Sequence, residues 1–470
     1  MNTRAVKART ITGVGKDSSL LKALSATIAL IAVMYFAAFG FFLFKAAIMS
    51  PISDMFRYIS DYLLFRDGKL GLIDYLWKPH GEHHLVWIRL LTWADVEIFH
   101  TQAIPFIAAA TVAISLTAAL VWYKLWGAEG RVGAASSLAL LAPMLILSTA
   151  NVVDCNVPIN TTYPITVAWV VLALVLFAHA DSSAQHANYW RVGAMLAASV
   201  APLGMAAGLL VWPILFWMAW QGQVNRRWLV ALGGIGVIYF AMYLRDVYFF
   251  GIVPTWEKGT EFYLGLGHLG KLVDYFFSFL GLPFTRDPRL GFVGRIVGLL
   301  LFLAGLSVIL IATFSNRLST PLDRIGIGMI LLGLGSAALA SVGRGDLIEE
   351  VKVPVRYTIF VAMLQVGFLC LLLPRLGHRV AGPGGRLWQQ AVGLLLACLL
   401  LVLQIFVGRS AEQIASAISE EADCFAQGIR YAEVSHTISP TPEVAQSVLV
   451  ALRESGLLAP KTVRCAAPLR

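Results

Sequence analysis

The chain has 470 residues, of which 58% are hydrophobic and only 13% are charged, and its formal net charge at pH 7 is +9. Soluble domains average about 25% charged residues, so the composition excludes a soluble globular protein and indicates a polytopic membrane protein. The apolar runs have helical length and lack the short alternation of barrel strands, which predicts an all-α fold. The positive charge suits loops at an anionic membrane surface, and no basic–aromatic module indicates nucleic-acid binding.

The N-terminal segment is polar and basic, and the apolar run after it is too long for a signal-peptide core. We therefore predict that this run is retained as the first of about eleven membrane spans. The apolar run 192–221 is divided into two spans because Gly204, Gly208 and two prolines interrupt it. If it is one helix, the amphipathic segment 268–282 has to cross instead. The predicted spans lie near 24–48, 102–123, 133–150, 163–180, 192–206, 207–221, 229–247, 290–313, 325–342, 357–374 and 387–407.

Arginine and lysine are concentrated in alternate loops, starting with the N-terminal segment, and we predict that this side faces the cytoplasm. The opposite side then carries the loop 51–100 and the C-terminal tail. The sequence predicts two domains, a helical transmembrane domain over 1–407 and a small extracytoplasmic helical tail over 408–470. Cys424 and Cys465 both lie in this tail, where an oxidising compartment would allow a disulfide between them.

The loop 51–100 gathers charge that the rest of the chain lacks, with seven carboxylates, five basic residues and four of the nine histidines. If its start is helical, Asp54, Tyr58 and Asp61 share one face. A carboxylate at the mouth of a membrane helix is costly unless it has a partner or a function. We therefore predict Asp54, and after it Asp61, as catalytic general bases. The alternative is a solvated helix face on which Arg57 pairs with Asp54.

The sequence HGEHH within this loop contributes His80, Glu82, His83 and His84. Its spacing is not the helical pair of zinc proteases, so no metal site is predicted. We predict that these four residues and Arg89 bind substrate hydroxyls or phosphate. The alternative is a loop whose histidines bond to backbone carbonyls or lipid headgroups. No cofactor is predicted. A divalent cation stays open as an alternative, although this spacing fits it poorly.

A second charged segment lies between two late spans, where Arg344, Lys352 and Arg356 bracket three acidic residues. Arginine is well suited to bidentate phosphate binding, and Arg356 stands at the start of a helix whose dipole favours an anion. We predict that these three cations bind a substrate phosphate. The alternative is that they are ordinary anchors at the membrane interface.

A first membrane helix, an outer loop that opens with Asp54, and amphipathic helices after it resemble the glycosyltransferase C (GT-C) superfamily. In that superfamily an acidic residue of the first outer loop is the base, and two adjacent acids are often found there. This chain has a single acid at that place, in Ser53-Asp54-Met55. The stretch WKPHGEHH (Trp77–His84) is also similar to a group of bacterial membrane proteins with an EHH-type first outer loop. That likeness continues through the segments Arg89–Phe99, Gly208–Pro213 and Gly343–Tyr357.

The resemblance implies an enzyme of the bacterial inner membrane with a GT-C-like helical bundle. It would transfer a sugar from a polyprenyl-phosphate donor to an envelope glycan or lipid acceptor at the outer face. The donor phosphate would be held by Arg344, Lys352 and Arg356, and Asp54 would deprotonate the acceptor. One alternative is a transporter or flippase for a lipid-linked or anionic substrate, which typically has ionisable residues in mid-membrane. Another is a non-catalytic partner in envelope assembly.

Overall fold

The structure is a computed structural model, and its regular elements confirm the predicted all-α class. Within the described residues every regular element is a helix, apart from one isolated β-bridge between His80 and His83. The structure describes residues 14–80, 83–128, 137–151, 158–181, 184–245, 269–282, 284–286, 289–315, 320–344, 353–379, 383–427 and 442–458.

Sixteen α-helices occur in these ranges, linked by short 3₁₀ turns. They are α1 (Val14–Lys45), α2 (Met55–Arg66), α3 (Leu72–Trp77), α4 (Val86–Glu97), α5 (Ile104–Ala128), α6 (Leu141–Ile146), α7 (Thr162–Ala180), α8 (Ala187–Val200), α9 (Val211–Gln221), α10 (Arg226–Leu244), α11 (Leu269–Leu280), α12 (Gly291–Phe314), α13 (Pro321–Arg344), α14 (Thr358–Arg379), α15 (Pro383–Ala426) and α16 (Pro442–Glu454).

Among the described residues, seven helices are long and apolar enough to cross a membrane, namely α1, α5, α7, α12, α13, α14 and α15. They coincide with seven of the eleven predicted spans, so the multi-pass character is supported, whereas the full count is not. The predicted span 133–150 contains only the short apolar stretch Leu138–Asn151 among its described residues. The predicted span 229–247 coincides with α10.

The predicted break within 192–221 is present. Helix α8 ends at Val200, and the chain makes two 3₁₀ turns before α9 begins at Val211. A Cβ on Gly208 would collide with the carbonyl of Ala201, so glycine permits this close reversal. Each half is shorter than the roughly 20 residues of a complete span, so neither is among the seven candidate spans.

Helix α7 occupies the centre of the bundle because its sequence is apolar on all sides. Val170, Leu174 and Phe177 are completely buried on three of its turns. Around it, α13 and α14 approach closely where Gly326 and Gly367 face each other, and a Cβ on Gly326 would lie 2.8 Å from the carbonyl oxygen of Gly367. Small residues of this kind let membrane helices pack backbone to backbone.

Helices α1 and α15 lie side by side and run in the same direction. Gly393 of α15 lies against Ile28 of α1. Gly408 lies against Phe42, which is further toward the C-terminus on both helices. The loop after α1 and the chain beyond Gly408 therefore leave the bundle at the same end, called here the loop end. This agrees with the prediction that the loop 51–100 and the tail share one side.

The opposite end carries a cluster of paired charges from α7, α8, α13 and α14. Asp181 contacts Arg324 at 2.5 Å and Arg191 at 3.4 Å, and Asp323 contacts Arg375 at 2.7 Å. These arginines come from segments that the distribution of basic residues assigned to one side. The structure thus brings them to one end of the bundle.

The C-terminal tail packs on the first loop. Helix α15 runs through the last predicted span and on to Ala426, and it joins α16 in an apolar cluster with α2. The Phe56 and Phe425 rings meet edge to face at 5.8 Å, and the Ser50 hydroxyl donates a hydrogen bond to Asp423. Cys424 is disulfide-bonded, and its predicted partner Cys465 lies outside the described residues.

Candidate active site on the first loop

Asp54 stands at the turn from α1 into α2, where the chain leaves the bundle. The preceding Ser53 has a left-handed backbone (φ 55°), which is uncommon outside glycine and sets the direction of α2. The Asp54 carboxylate accepts no hydrogen bond from the first turn of that helix. Its side chain retains 33% of its exposure, so a solvent-borne or membrane-borne ligand can reach it.

His80 lies between Asp54 and Arg57. The Arg57 guanidinium approaches the His80 Nδ1 at 3.2 Å, and a guanidinium can only donate hydrogen bonds. Nδ1 is therefore the acceptor, and the ring proton of neutral His80 resides on Nε2, which is 3.7 Å from the Asp54 carboxylate. His80 thus lies between Arg57 and Asp54 and contacts both, where the alternative expected Arg57 to pair with Asp54.

Asp61, the second predicted base, is held by two cations. Its carboxylate contacts the Lys78 Nζ at 2.5 Å and the Arg89 guanidinium at 3.0 Å, and its side chain is 6% exposed. A buried carboxylate paired in this way holds its neighbours together. Of the two predicted bases, Asp54 is therefore the more accessible.

Arg89 is the centre of the platform formed by α2, α3 and α4. Its guanidinium lies 5.5 Å from the Tyr58 ring centre and 5.4 Å from that of Tyr75, and it donates to the Lys78 carbonyl at 3.1 Å. Tyr75 donates its hydroxyl to the Arg89 carbonyl at 2.7 Å. Arg89 is buried, so it supports the site from beneath and has no surface with which to contact substrate.

Tyr58 is a residue whose importance the sequence alone did not reveal. Its ring lies 5.3 Å from that of His80, and its buried hydroxyl has no hydrogen-bond partner among the described residues. Burial, and after it the Asp54 carboxylate, raise the pKa of Tyr58, so the hydroxyl stays protonated. A buried hydroxyl that donates no hydrogen bond within the protein is uncommon in native structures, which distinguishes Tyr58 from the tyrosines around it.

The other members of HGEHH point in different directions. His83 accepts the backbone N–H of Ala206 through Nδ1 at 3.2 Å, which ties the loop to the turn before α9. His84 is buried, bonds the Trp77 carbonyl at 2.8 Å and stacks on the Trp77 ring at 4.4 Å. Glu82 lies outside the described residues. The alternative of histidines bonded to backbone carbonyls describes His84, whereas His83 accepts from a backbone N–H. Lys78, which no pattern singled out, joins the site through Asp61.

Of the three predicted phosphate-binding cations, Arg356 is the one whose side chain the structure describes. It lies in the 3₁₀ turn Val355–Tyr357 directly before α14, as predicted, with its guanidinium 5.8 Å from the Tyr357 ring. Tyr357 packs on Tyr163 at the start of α7. The far ends of α7 and α14 carry the charge cluster of the opposite end, so Arg356 lies at the loop end with Asp54. The side chains of Arg344 and Lys352 lie outside the described residues.

Comparisons of this chain with protein-family models, with curated proteins and with solved structures returned no match.

Proposed function

We propose that this protein is an integral-membrane glycosyltransferase that transfers a sugar from a polyprenyl-phosphate donor to a glycan or lipid acceptor. The observation that carries the proposal is the contrast between the two predicted bases. Asp61 is buried between two cations, whereas Asp54 is accessible, does not cap its helix and has His80 directed toward it. A general base must be reachable by the proton that it removes.

In the proposed reaction, the acceptor hydroxyl gives its proton to the Asp54 carboxylate while its oxygen attacks the anomeric carbon of the donor. The bond between that carbon and the phosphate oxygen breaks, and polyprenyl phosphate leaves with the electron pair. A single displacement inverts the anomeric carbon. The Nε2–H of His80 orients the Asp54 carboxylate toward the acceptor, and the buried Tyr58 ring supports His80 from beneath. Both contribute by positioning and preorganised polarity.

Arg356 supplies a positive charge for the leaving phosphate in this proposal. It precedes the N-terminus of α14, where the helix dipole also favours an anion. The donor's prenyl chain would remain in the lipid beside the bundle, which places its phosphate at the membrane surface. Arg344 and Lys352 remain predicted contributors to the same phosphate site.

The depth of the charges favours transfer over transport. In the seven candidate spans, the described acidic and basic residues lie near the helix ends, and those of α15 between Arg409 and Asp423 follow its membrane-length portion. Transporters usually place ionisable groups near the bilayer midplane. A non-catalytic partner would have no use for an accessible carboxylate with an oriented histidine.

The test is turnover of the full-length protein, reconstituted in lipid, with a panel of radiolabelled polyprenyl-phosphate sugars and extracted envelope glycans and lipids as acceptors. We expect release of polyprenyl phosphate and an inverted linkage in the product. D54N should lose turnover and keep donor affinity, because its carboxamide cannot accept the proton. Equal turnover by D54N and wild type would exclude Asp54 as base.

A further inference from the structure

A groove of about 600 Å³ opens between α2 and α4. Its volume lies in the range of small-ligand sites, about 300–1,000 Å³. Tyr62 follows Asp54 by eight residues, so the groove begins about 12 Å further along the axis of α2. The residues that line it are Tyr62, Arg66, Trp93, Ala94, Glu97 and Ile98.

The polar wall of the groove is a prearranged group of three side chains. Glu97 accepts the Tyr62 hydroxyl at 2.5 Å and pairs with the Arg66 Nε at 3.5 Å. About a third of each charged side chain is exposed, 39% for Arg66 and 34% for Glu97, so both keep hydrogen-bonding capacity toward the groove. A carboxylate beside a guanidinium offers acceptors and donors in fixed planes, which suits vicinal hydroxyl groups.

Trp93 adds an aromatic surface to the α4 wall of the groove, one helical turn before Glu97. Trp93 exposes 48% of its surface although it belongs to a packed helix pair, and Ile98 beside it exposes 66%. An exposed indole next to polar groups provides a flat apolar face, on which the C–H face of a pyranose ring can lie. An indole platform one helical turn from a carboxylate–guanidinium pair is an arrangement expected of a saccharide site.

We infer that this groove binds a saccharide, and that the saccharide is the glycan portion of the acceptor. The second part rests on the proposed glycosyl transfer, since an acceptor anchored here would extend along α2 toward Asp54. The competing occupant is the lipid surface, into which exposed tryptophans commonly insert. The Glu97 carboxylate favours a saccharide over the lipid surface, because a carboxylate would repel anionic headgroups.

The experiment is equilibrium binding of fluorescently labelled maltotriose and triacetylchitotriose to the full-length protein in lipid nanodiscs. Nanodiscs are required because maltoside detergents would compete for the site. We expect wild type to bind one of the two probes, W93A to bind it at least tenfold more weakly and E97Q severalfold more weakly. W93F should recover part of the affinity. W388A is the matched control, because Trp388 on α15 is 70% exposed and distant in sequence from the groove.

Equal affinity of W93A and wild type, or no binding of either probe by wild type, would overturn the inference. Quenching of Trp93 fluorescence by brominated lipid, lost in W93A and without any effect of saccharide, would instead assign the groove to the membrane surface. D54N should bind the probe as wild type does. If W93A weakens probe binding but transfers sugar at the wild-type rate, the saccharide site stands and its role in acceptor binding fails.

Discussion

Asp95 is a carboxyl group that the fold buries completely, in the last turns of α4. Neither carboxylate oxygen has a hydrogen-bond partner among the described residues, although the nearby Ala103 amide partly offsets the effect of burial. Burial raises the pKa of Asp95 from 3.8 to about 7. The turn that follows holds His100, Thr101 and Ala103 in left-handed backbone conformations, so strain and desolvation coincide at the entry to α5.

The pH dependence follows from the raised pKa of Asp95. Between about pH 4 and pH 7 the folded protein holds a proton that the unfolded chain releases, so this group lowers stability as the pH rises and does so fully above about pH 7. D95N removes the ionisation and should stabilise the protein at about pH 8 by up to roughly 4 kcal/mol, with little effect near pH 4. Thermal unfolding of both proteins at the two pH values measures this, and a stabilisation independent of pH would contradict it.

Helical spacing was sufficient to predict that Asp54, Tyr58 and Asp61 face one direction. The structure places Tyr58 and Asp61 against Arg89, with Tyr58 also against His80 and Asp54 beside His80. The division of roles between the two acids could not be predicted, because it depends on Lys78 and Arg89 returning to Asp61 from other helices. Such contacts are set by how α3 and α4 fold back, which local sequence does not encode.

At the scale of elements, α15 links the membrane bundle to the loop platform. The tail was predicted as a separate helical unit from residue 408, and its first helix proves continuous with the last span. The polar segment after Gly408 keeps its helix because Ala411, Ala415 and Ala422 pack in the apolar cluster with α2. A hydropathy profile ends this helix where its apolar run ends, so the extension could not be foreseen from composition.

A substitution at Phe425 tests whether the tail supports α2. F425A removes a buried ring that meets Phe56 edge to face, and it should cost about 3–5 kcal/mol and loosen α2. Hydrogen exchange over α2 and thermal unfolding report the effect. I414A is the control, because Ile414 lies on the same helix and is 41% exposed. Equal effects of the two substitutions would contradict a supporting role for the tail.

At the scale of the whole molecule, the parallel arrangement of α1 and α15 puts the loop and the tail at one end and the paired arginines at the other. Long apolar helices with uninterrupted sequence were predictable one by one. Around α8 and α9 the break was predictable, whereas the lengths of the two helices were not. Each is shorter than a complete span and is stabilised by its neighbours. Hydropathy measures how hydrophobic a segment is, and it carries no information on how that segment packs against its neighbours.

Cysteine accessibility tests the two-ended arrangement. K69C in the loop and S455C in the tail should react with a membrane-impermeant maleimide from the same face of intact cells or oriented vesicles. Q223C, in the exposed turn between α9 and α10, should react only after permeabilisation. Wild type is labelled in parallel as the background, because Cys398 is an exposed free thiol on α15 whereas Cys370 is buried. Labelling of K69C and S455C from opposite faces would contradict the arrangement.

The most direct test of the central claim compares the initial rate of sugar transfer by wild type, D54N and D61N, per amount of folded protein and with donor affinity measured in parallel. A general base contributes typically 10²–10⁴-fold to rate, so D54N should be slower by roughly that factor at unchanged donor affinity. D61N should instead lower the yield of folded protein, because it leaves the buried Arg89 guanidinium without its carboxylate partner, and its folded fraction should retain transfer. Transfer by D54N at the wild-type rate, or its abolition in folded D61N alone, would contradict the account.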